Sequence, residues 1–343
     1  MQFYNRLNIK EQSDLIDKSG KDRIVLSFYK YSYLGNPKIF RNYLYVKLSA
    51  IDVLGRIYIA SEGINAQISL PLENLPFLRN ELDKITFLKN IPLNYALVSE
   101  NKSFLKLTIK VKNKIVADGL ESQEIDLSKR GTYVDASEFN KLLEKKDTIC
   151  IDMRNHYESE VGHFKNAIIP DVDTFRESLP LIEKNFFNEK NNKNFLLYCT
   201  GGIRCEKASA YFKQKGFKKV FQMKGGIIEY ARQAREMKLE NKFKGINFVF
   251  DERKGERISK DVISNCHLCN ASCDSHVNCA NPACNLLFIQ CSDCSKTYDG
   301  CCSLDCQKII NLPYEKQKSL RKAKKNSHKV FKKGRSKALK YKT

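Results

Sequence analysis

An apolar strand that runs straight into a cysteine, two glycines and an arginine constrains this chain more than any other feature. In residues 195–214 the run FLLYC is followed by TGGIRC and then by a helical stretch, EKASAYFKQ. Strand, short loop and helix in that order form the repeating unit of a doubly wound sheet, in which ligands bind beyond the carboxyl ends of the strands. The neighbouring sequence agrees. DASEFNKLLEKK (135–146) reads as a helix with Asp135 and Glu138 at its start. TICID (148–152) is a short buried strand, and the helix over 205–215 is stopped by Gly216. Helices alternating with short apolar strands predict a parallel α/β sheet.

The loop carries the chemistry. Gly201 and Gly202 let the backbone of Thr200, Gly201, Gly202 and Ile203 curl around Cys199. Successive amides then form an anion-binding nest, the following helix adds its positive end, and Arg204 adds a forked cation. Each favours thiolate over thiol, so the acidity of Cys199 should rise from a pKa of ~8.5 into the range ~3.5–7.5. The same cradle would hold a persulfide. Cys205 lies one residue past Arg204. It reads either as a resolving thiol or as a helix-packed cysteine.

Residues 23–112 have a different grammar. RIVLSFYKY is β-rich, and Pro37 opens a helical run with Gly55 placed to end it. RIYIA and INAQISL flank Ser61-Glu62-Gly63 as a hairpin, and residues 72–84 read as a second helix. NYALVSE and FLKLTIKV close the unit as strands. The order β-α-β-β-α-β predicts a ferredoxin-like split fold. Tyr29, Lys30, Tyr31 and Lys38 mix aromatic and basic side chains suited to RNA, although strand residues with one face in the core have the same composition.

Ten of the 13 cysteines lie between Cys266 and Cys306. A dense cluster in a chain without a secretory signal points to metal rather than disulfides. Cys266 and Cys269 form one C-x2-C pair and Cys291 and Cys294 another, with 21 residues between the inner cysteines. Cys273, Cys279, Cys284, Cys301, Cys302 and Cys306 supply further ligands, and two closed tetrahedral zinc sites would use eight of the ten. His267 and His276 are alternative ligands, and the spacing does not match a ferredoxin cluster run.

The net charge of +21 is uneven: 13 Lys or Arg and no acid fall within residues 316–342. Such a tail suits a polyanion such as RNA, and the blander alternative is a solvated, disordered segment. No run approaches the about 20 apolar residues that span a bilayer, so the expected location is the cytoplasm. The expected domains are residues 1–120, ferredoxin-like with RNA contact; 130–238, doubly wound; 245–312, Cys-rich and metal-binding; and 313–343, a disordered basic tail.

CTGGIRC resembles the active-site loop of rhodaneses. Ile151-Asp152-Met153-Arg154, then Tyr157 and Glu158, then GHFKNA (162–167) resemble that family's second signature, and Gly225-Gly226-Ile227 its closing motif. By that resemblance Asp152 and Arg154 brace the loop through hydrogen bonds, and His163 is a packed core residue. The ring between Cys199 and Arg204 is one residue shorter than in related phosphatases, so it fits one sulfur better than a phosphate. FYKY (28–31), GRIYIASEGINAQIS (55–69), IVADG (115–119), GGIIEYAR and NFVFDER (247–253) extend the likeness. In this order the motifs are similar to those of the bacterial tRNA uridine hydroxylase family over residues 20–312. That resemblance implies oxygen-dependent formation of 5-hydroxyuridine at position 34 of tRNA, with Cys199 as the essential cysteine and dioxygen as co-substrate. No haem, flavin or dinucleotide fingerprint accompanies it. The competing reading is a sulfurtransferase passing persulfide sulfur from Cys199 to tRNA or a carrier, and a third is an RNA-binding redox sensor.

Overall fold

The computed structural model describes residues 8–120, 125–323 and 332–333. The chain begins with a helix that the motif reading passed over, α1 (Ile9–Ser19). The signal for it is a capping box: Asn8 Oδ1 accepts from the Glu11 amide at 2.9 Å, and the Glu11 carboxylate accepts from the Asn8 amide at 2.8 Å. Then follow β1 (Arg23–Tyr31), α2 (Pro37–Ala50), β2 (Leu54–Ala60), β3 (Gly63–Pro71), α3 (Leu75–Asp83), β4 (Asn94–Tyr95) and β5 (Leu107–Val111). Their sheet has the order β4-β1-β3-β2-β5. The first four strands give the ferredoxin-like split arrangement, and β5 adds a parallel edge to β2. Leu44 and Leu48 of α2 and Leu78 and Leu82 of α3 pack on one face against Leu26, Phe28, Ile57 and Ile68. The other face, which carries Tyr29 and Tyr31, meets the central unit.

Two local readings change. Gly55 does not end α2; it lies inside β2 with φ 141°, where an added Cβ would stand 2.3 Å from the Gln67 carbonyl oxygen. The left-handed turn after the helix belongs to Asp52 (φ 54°), whose carboxylate pairs with Arg23 at 2.7 Å. The expected strand over 94–100 shrinks to the two residues of β4.

The central unit contains β6 (Thr132–Val134), α4 (Ala136–Leu143), β7 (Thr148–Asp152), α5 (His156–Ser159), β8 (Gly162–Phe164), α6 (Phe175–Phe186), β9 (Asn194–Tyr198), α7 (Ile203–Gln214), β10 (Lys219–Met223) and α8 (Gly226–Glu236). The sheet β6-β10-β9-β7 is wholly parallel. Alternation along β9 supplies both faces. Leu196 and Tyr198 enter a core with Phe139, Phe164 and Tyr230 on the α4 and α8 side. Phe195 and Leu197 enter a second core with Leu179, Ile182 and Phe212 on the α6 and α7 side. This is the doubly wound layering that the strand and helix alternation predicts, and it delivers the end of β9 to the top of the sheet.

The C-terminal segment holds β11 (Phe243–Asn247), β12 (Glu256–Arg257), β13 (His276–Asn278), β14 (Leu286–Ile289), α9 (Ser292–Thr297), α10 (Leu304–Ile310), α11 (Tyr314–Ala323) and β15 (Lys332–Lys333). It joins the central unit where β11 pairs with β8 and where Phe248, Leu287 and Ile289 pack on Tyr157 and Val161. The reading of residues 313–343 as disordered is corrected at α11. There Gln317 Nε2 donates to the carbonyl oxygens of Ile310 and Leu312, both at 2.8 Å, which ties the first turn to α10. Residues 324–331 and 334–343 of that tail lie outside the described residues. No described helix is long and apolar enough to cross a membrane.

Candidate active site and metal-binding clusters

Cys199 follows the last residue of β9 and has no exposed surface. The Gly202 amide donates to its Sγ at 3.1 Å. Gly202 itself has φ 97°, a left-handed conformation that favours glycine, and a Cβ there would stand 2.9 Å from the Tyr29 hydroxyl. Burial alone would push the thiol up. Against it act a hydrogen bond from the Cys205 thiol, the Arg204 guanidinium, and the amides of Cys205 and Arg204, which together bring Cys199 down from 9.0 to about 6. Cys205, buried in the first turn of α7, is pushed well above its ordinary value by that burial and by the neighbouring sulfur. The two cysteines are therefore pushed in opposite directions, Cys199 down and Cys205 up.

Arg204 does not stand as a free cation. Its Nη1 and Nη2 grip both oxygens of Glu158 at 2.6 and 2.8 Å, and Nη2 also approaches Thr200 Oγ1 at 3.3 Å. Glu158 is fully buried on α5. It holds the loop, a role its place in the signature motif did not reveal, because its partner is 46 residues away. Asp152 and Arg154 form a second, wholly buried pair at 2.6 Å. They do not hydrogen-bond the cysteine loop. Arg154 Nη2 donates to the Gly162 carbonyl at 2.5 Å and Asp152 accepts from Ser159 Oγ at 2.9 Å. They brace the β7–β8 region instead, and reach the loop only through β9, where the Met153 amide donates to the Tyr198 carbonyl at 2.9 Å. His163 is half-buried, with Nδ1 2.9 Å from the Ser159 carbonyl oxygen.

The N-terminal sheet presses its other face on this loop. The Tyr29 hydroxyl donates to Glu206 at 3.0 Å and the Tyr31 hydroxyl to the Ile203 carbonyl at 3.2 Å. Lys207 bridges Glu62 at 2.7 Å and Asp118 at 2.9 Å. Tyr29 and Tyr31 thus serve the domain junction rather than an open RNA surface, whereas Lys30 and Lys38 are exposed. Between the two domains lies a cavity of about 430 Å³ walled by Cys199, Thr200 and Gly201 on one side and by Ser27, Gln67 and Asn94 on the other. Sequence reasoning missed the second wall, since strand polarity alone does not name what the strand faces.

The cysteine-rich segment gathers two sets of thiols. The sulfurs of Cys266, Cys269, Cys291 and Cys294 lie within 4.8 Å of one another, and so do those of Cys279, Cys284, Cys302 and Cys306. Tetrahedral zinc with bonds of about 2.3 Å to sulfur places its ligands about 3.8 Å apart. The separations are 3.6 Å for Cys269–Cys291, 3.7 Å for Cys284–Cys302 and 3.9 Å for Cys302–Cys306. The donor sets and spacings fit such an ion. Cys273 and Cys301 stand outside both sets. His267 also stands outside them, with its Nε2 2.8 Å from Glu160, and His276 packs edge-on against Phe248.

The three units match known families. Residues 23–115 match the UPF0176 acylphosphatase-like domain, 135–233 the rhodanese-like domain and 244–307 the rhodanese C-terminal family. A tRNA uridine(34) hydroxylase of Leptospira interrogans is 51% identical over 93% of this chain and 87% of its own length. Proteins of the same name from Photorhabdus laumondii and Pectobacterium carotovorum are 50% and 49% identical over 97% of this chain, and over 95% and 94% of their own lengths. With the loop, the domain order and this near full-length identity together, the chain belongs to the tRNA uridine(34) hydroxylase family.

Proposed function

We propose that this protein hydroxylates C5 of the wobble uridine of tRNA in the cytoplasm, with dioxygen as co-substrate and Cys199 as the nucleophile. The observation that carries the reading is an ionised sulfur in the wall of a cavity between two domains. A thiolate can add to C6 of a uracil ring. The S–C6 bond forms, the C5=C6 electrons pass to the O4 enolate, and C5 becomes electron-rich toward an oxygen donor. One oxygen atom of dioxygen becomes the C5 hydroxyl and the other leaves as water, with two electrons and two protons drawn from an external thiol-class reductant; loss of the C5 proton then expels the thiolate and restores the C5=C6 bond. The Gly202 amide and the Arg204–Glu158 pair serve the sulfur both as attacking group and as leaving group. Exposed Lys30 and Lys38 and the basic tail are the RNA contacts. Two zinc ions, one in each four-thiol set, order the C-terminal segment against α5.

Nucleoside mass spectrometry of tRNA tests this reading. A strain lacking the gene is expected to lose 5-hydroxyuridine, and the wild-type gene but not Cys199→Ser restores it. Loss of a thiolated base instead would establish the sulfurtransferase, and unchanged nucleosides would overturn both.

A further inference from the structure

The wall of the cavity opposite Cys199 belongs to the N-terminal sheet, and its composition is specific. Asn94 on β4 is paired in register with Ser27 on β1, Ser27 with Gln67 on β3, and Gln67 with Arg56 on β2. Directly paired residues share a face, so the four side chains form one polar row across four adjacent strands. All four line the cavity. A methyl at Gly201 would lie 3.9 Å from Asn94 Nδ2, and one at Gly225 3.2 Å from Asn94 Oδ1, so one end of the row touches the cysteine loop. Among the described residues, the side chains of Ser27, Gln67 and Asn94 make no hydrogen bond, while Arg56 donates only to the Phe250 carbonyl at 3.0 Å. By contrast Arg204 and Arg253, in the same cavity, are fully paired with carboxylates.

Half-buried carboxamides left without partners beside a reactive sulfur are groups awaiting a ligand. The ligand must be flat, polar at its edge and short of donors at one end, because Arg56 can only donate. A uracil ring meets that description. It carries two carbonyl acceptors flanking one N–H, and cytosine replaces one of those acceptors with an amino group that would face the guanidinium. Single-stranded RNA bases are commonly read on this edge. We propose that the row Asn94–Ser27–Gln67–Arg56 is the base-reading surface of the enzyme, and that Gln67 and Arg56 set the choice of uridine over cytidine at the modified position. The inference rests on the tRNA hydroxylase reading. It assigns specificity to the N-terminal domain and leaves reactivity to the rhodanese loop.

The test is a binding comparison in the absence of oxygen, with the full chain and two tRNA anticodon stem-loops that differ only in uridine or cytidine at position 34. Wild type is expected to prefer the uridine hairpin by about tenfold or more, as for a site whose hydrogen bonds match one base only. Gln67→Leu and Arg56→Gln are expected to reduce that preference to within about twofold, with the melting temperature and the pH profile of Cys199 alkylation unchanged. Gln67→Glu keeps the size and polarity but can only accept when ionised, so it should shift preference toward the cytidine hairpin. Wild-type binding that ignores the base, or variants that keep the uridine preference, would overturn the proposal. Because binding is read without turnover, a protein that prefers uridine yet forms no 5-hydroxyuridine would support this surface while removing the proposed chemistry.

Discussion

At the scale of single residues the site is a contest between burial and hydrogen bonding at Cys199. Burial raises a thiol, yet the Cys205 donor, the Arg204 charge and the loop amides hold this one at about 6. Its folded value is depressed, so the thiolate is fully present above neutral pH and is lost as pH falls through 6. The alkylation rate of the Cys199 peptide, followed by mass spectrometry, should therefore reach half its maximum near pH 6. Cys205→Ala removes a donor and should move that midpoint upward. A midpoint at the ordinary ~8.5 in the wild type would contradict the geometry. Much of this was legible in the sequence, because Cys199, Gly202 and Arg204 act within a few residues of one another. Glu158 was not, since its ion pair with Arg204 exists only once the fold brings α5 against the start of α7. Nor were the partners of Asp152 and Arg154: a motif names residue types but not whether their hydrogen bonds end on the loop or, as here, on Gly162 and Ser159.

At the scale of elements, the start of α8 clamps the loop. Gly226 has φ 66°, and a Cβ there would stand 2.4 Å from the Cys199 carbonyl oxygen and 2.6 Å from that of Thr200. The Ile227 amide donates to the same Cys199 carbonyl at 2.9 Å. Gly226→Ala is expected to cost at least about 1–3 kcal/mol from the backbone conformation alone, with the clash added. Gly201→Ala meets only Asn94 Nδ2 at 3.9 Å and should fall within about 0.5 kcal/mol of wild type. Urea denaturation of the two variants measures the difference, and equal stabilities would show that the close approach is relieved by a small shift. The glycine-rich closing motif was readable as punctuation, but not this backbone contact between elements that are distant in sequence. Likewise α1 was overlooked although Asn8 and Glu11 spell its cap, because a motif-led reading attends to chemistry before capping.

At the scale of the whole molecule, the two thiol sets lie upstream of the active site through α5. The C-terminal segment packs Phe248 on Tyr157, with ring centroids 5.2 Å apart, and the next residue, Glu158, grips Arg204. Removing metal with a strong chelator under reducing conditions should lower the melting temperature and carry the Cys199 alkylation midpoint upward, toward ~8.5. A midpoint that stays near 6 in metal-free protein would show that the cysteine-rich segment and the loop are independent. The complete shielding of Cys199 has its own consequence. An ionised sulfur is the natural prey of peroxides and of mixed-disulfide exchange, and both need room at the sulfur. Here loop backbone and the Tyr29 side of the N-terminal sheet cover the sulfur, so oxidation of Cys199 by peroxide in the resting protein is expected to be slower than that of a free thiol of the same acidity. Whatever parts those surfaces also uncovers the nucleophile, which ties the hazard of exposure to the moment when a base is present to use it.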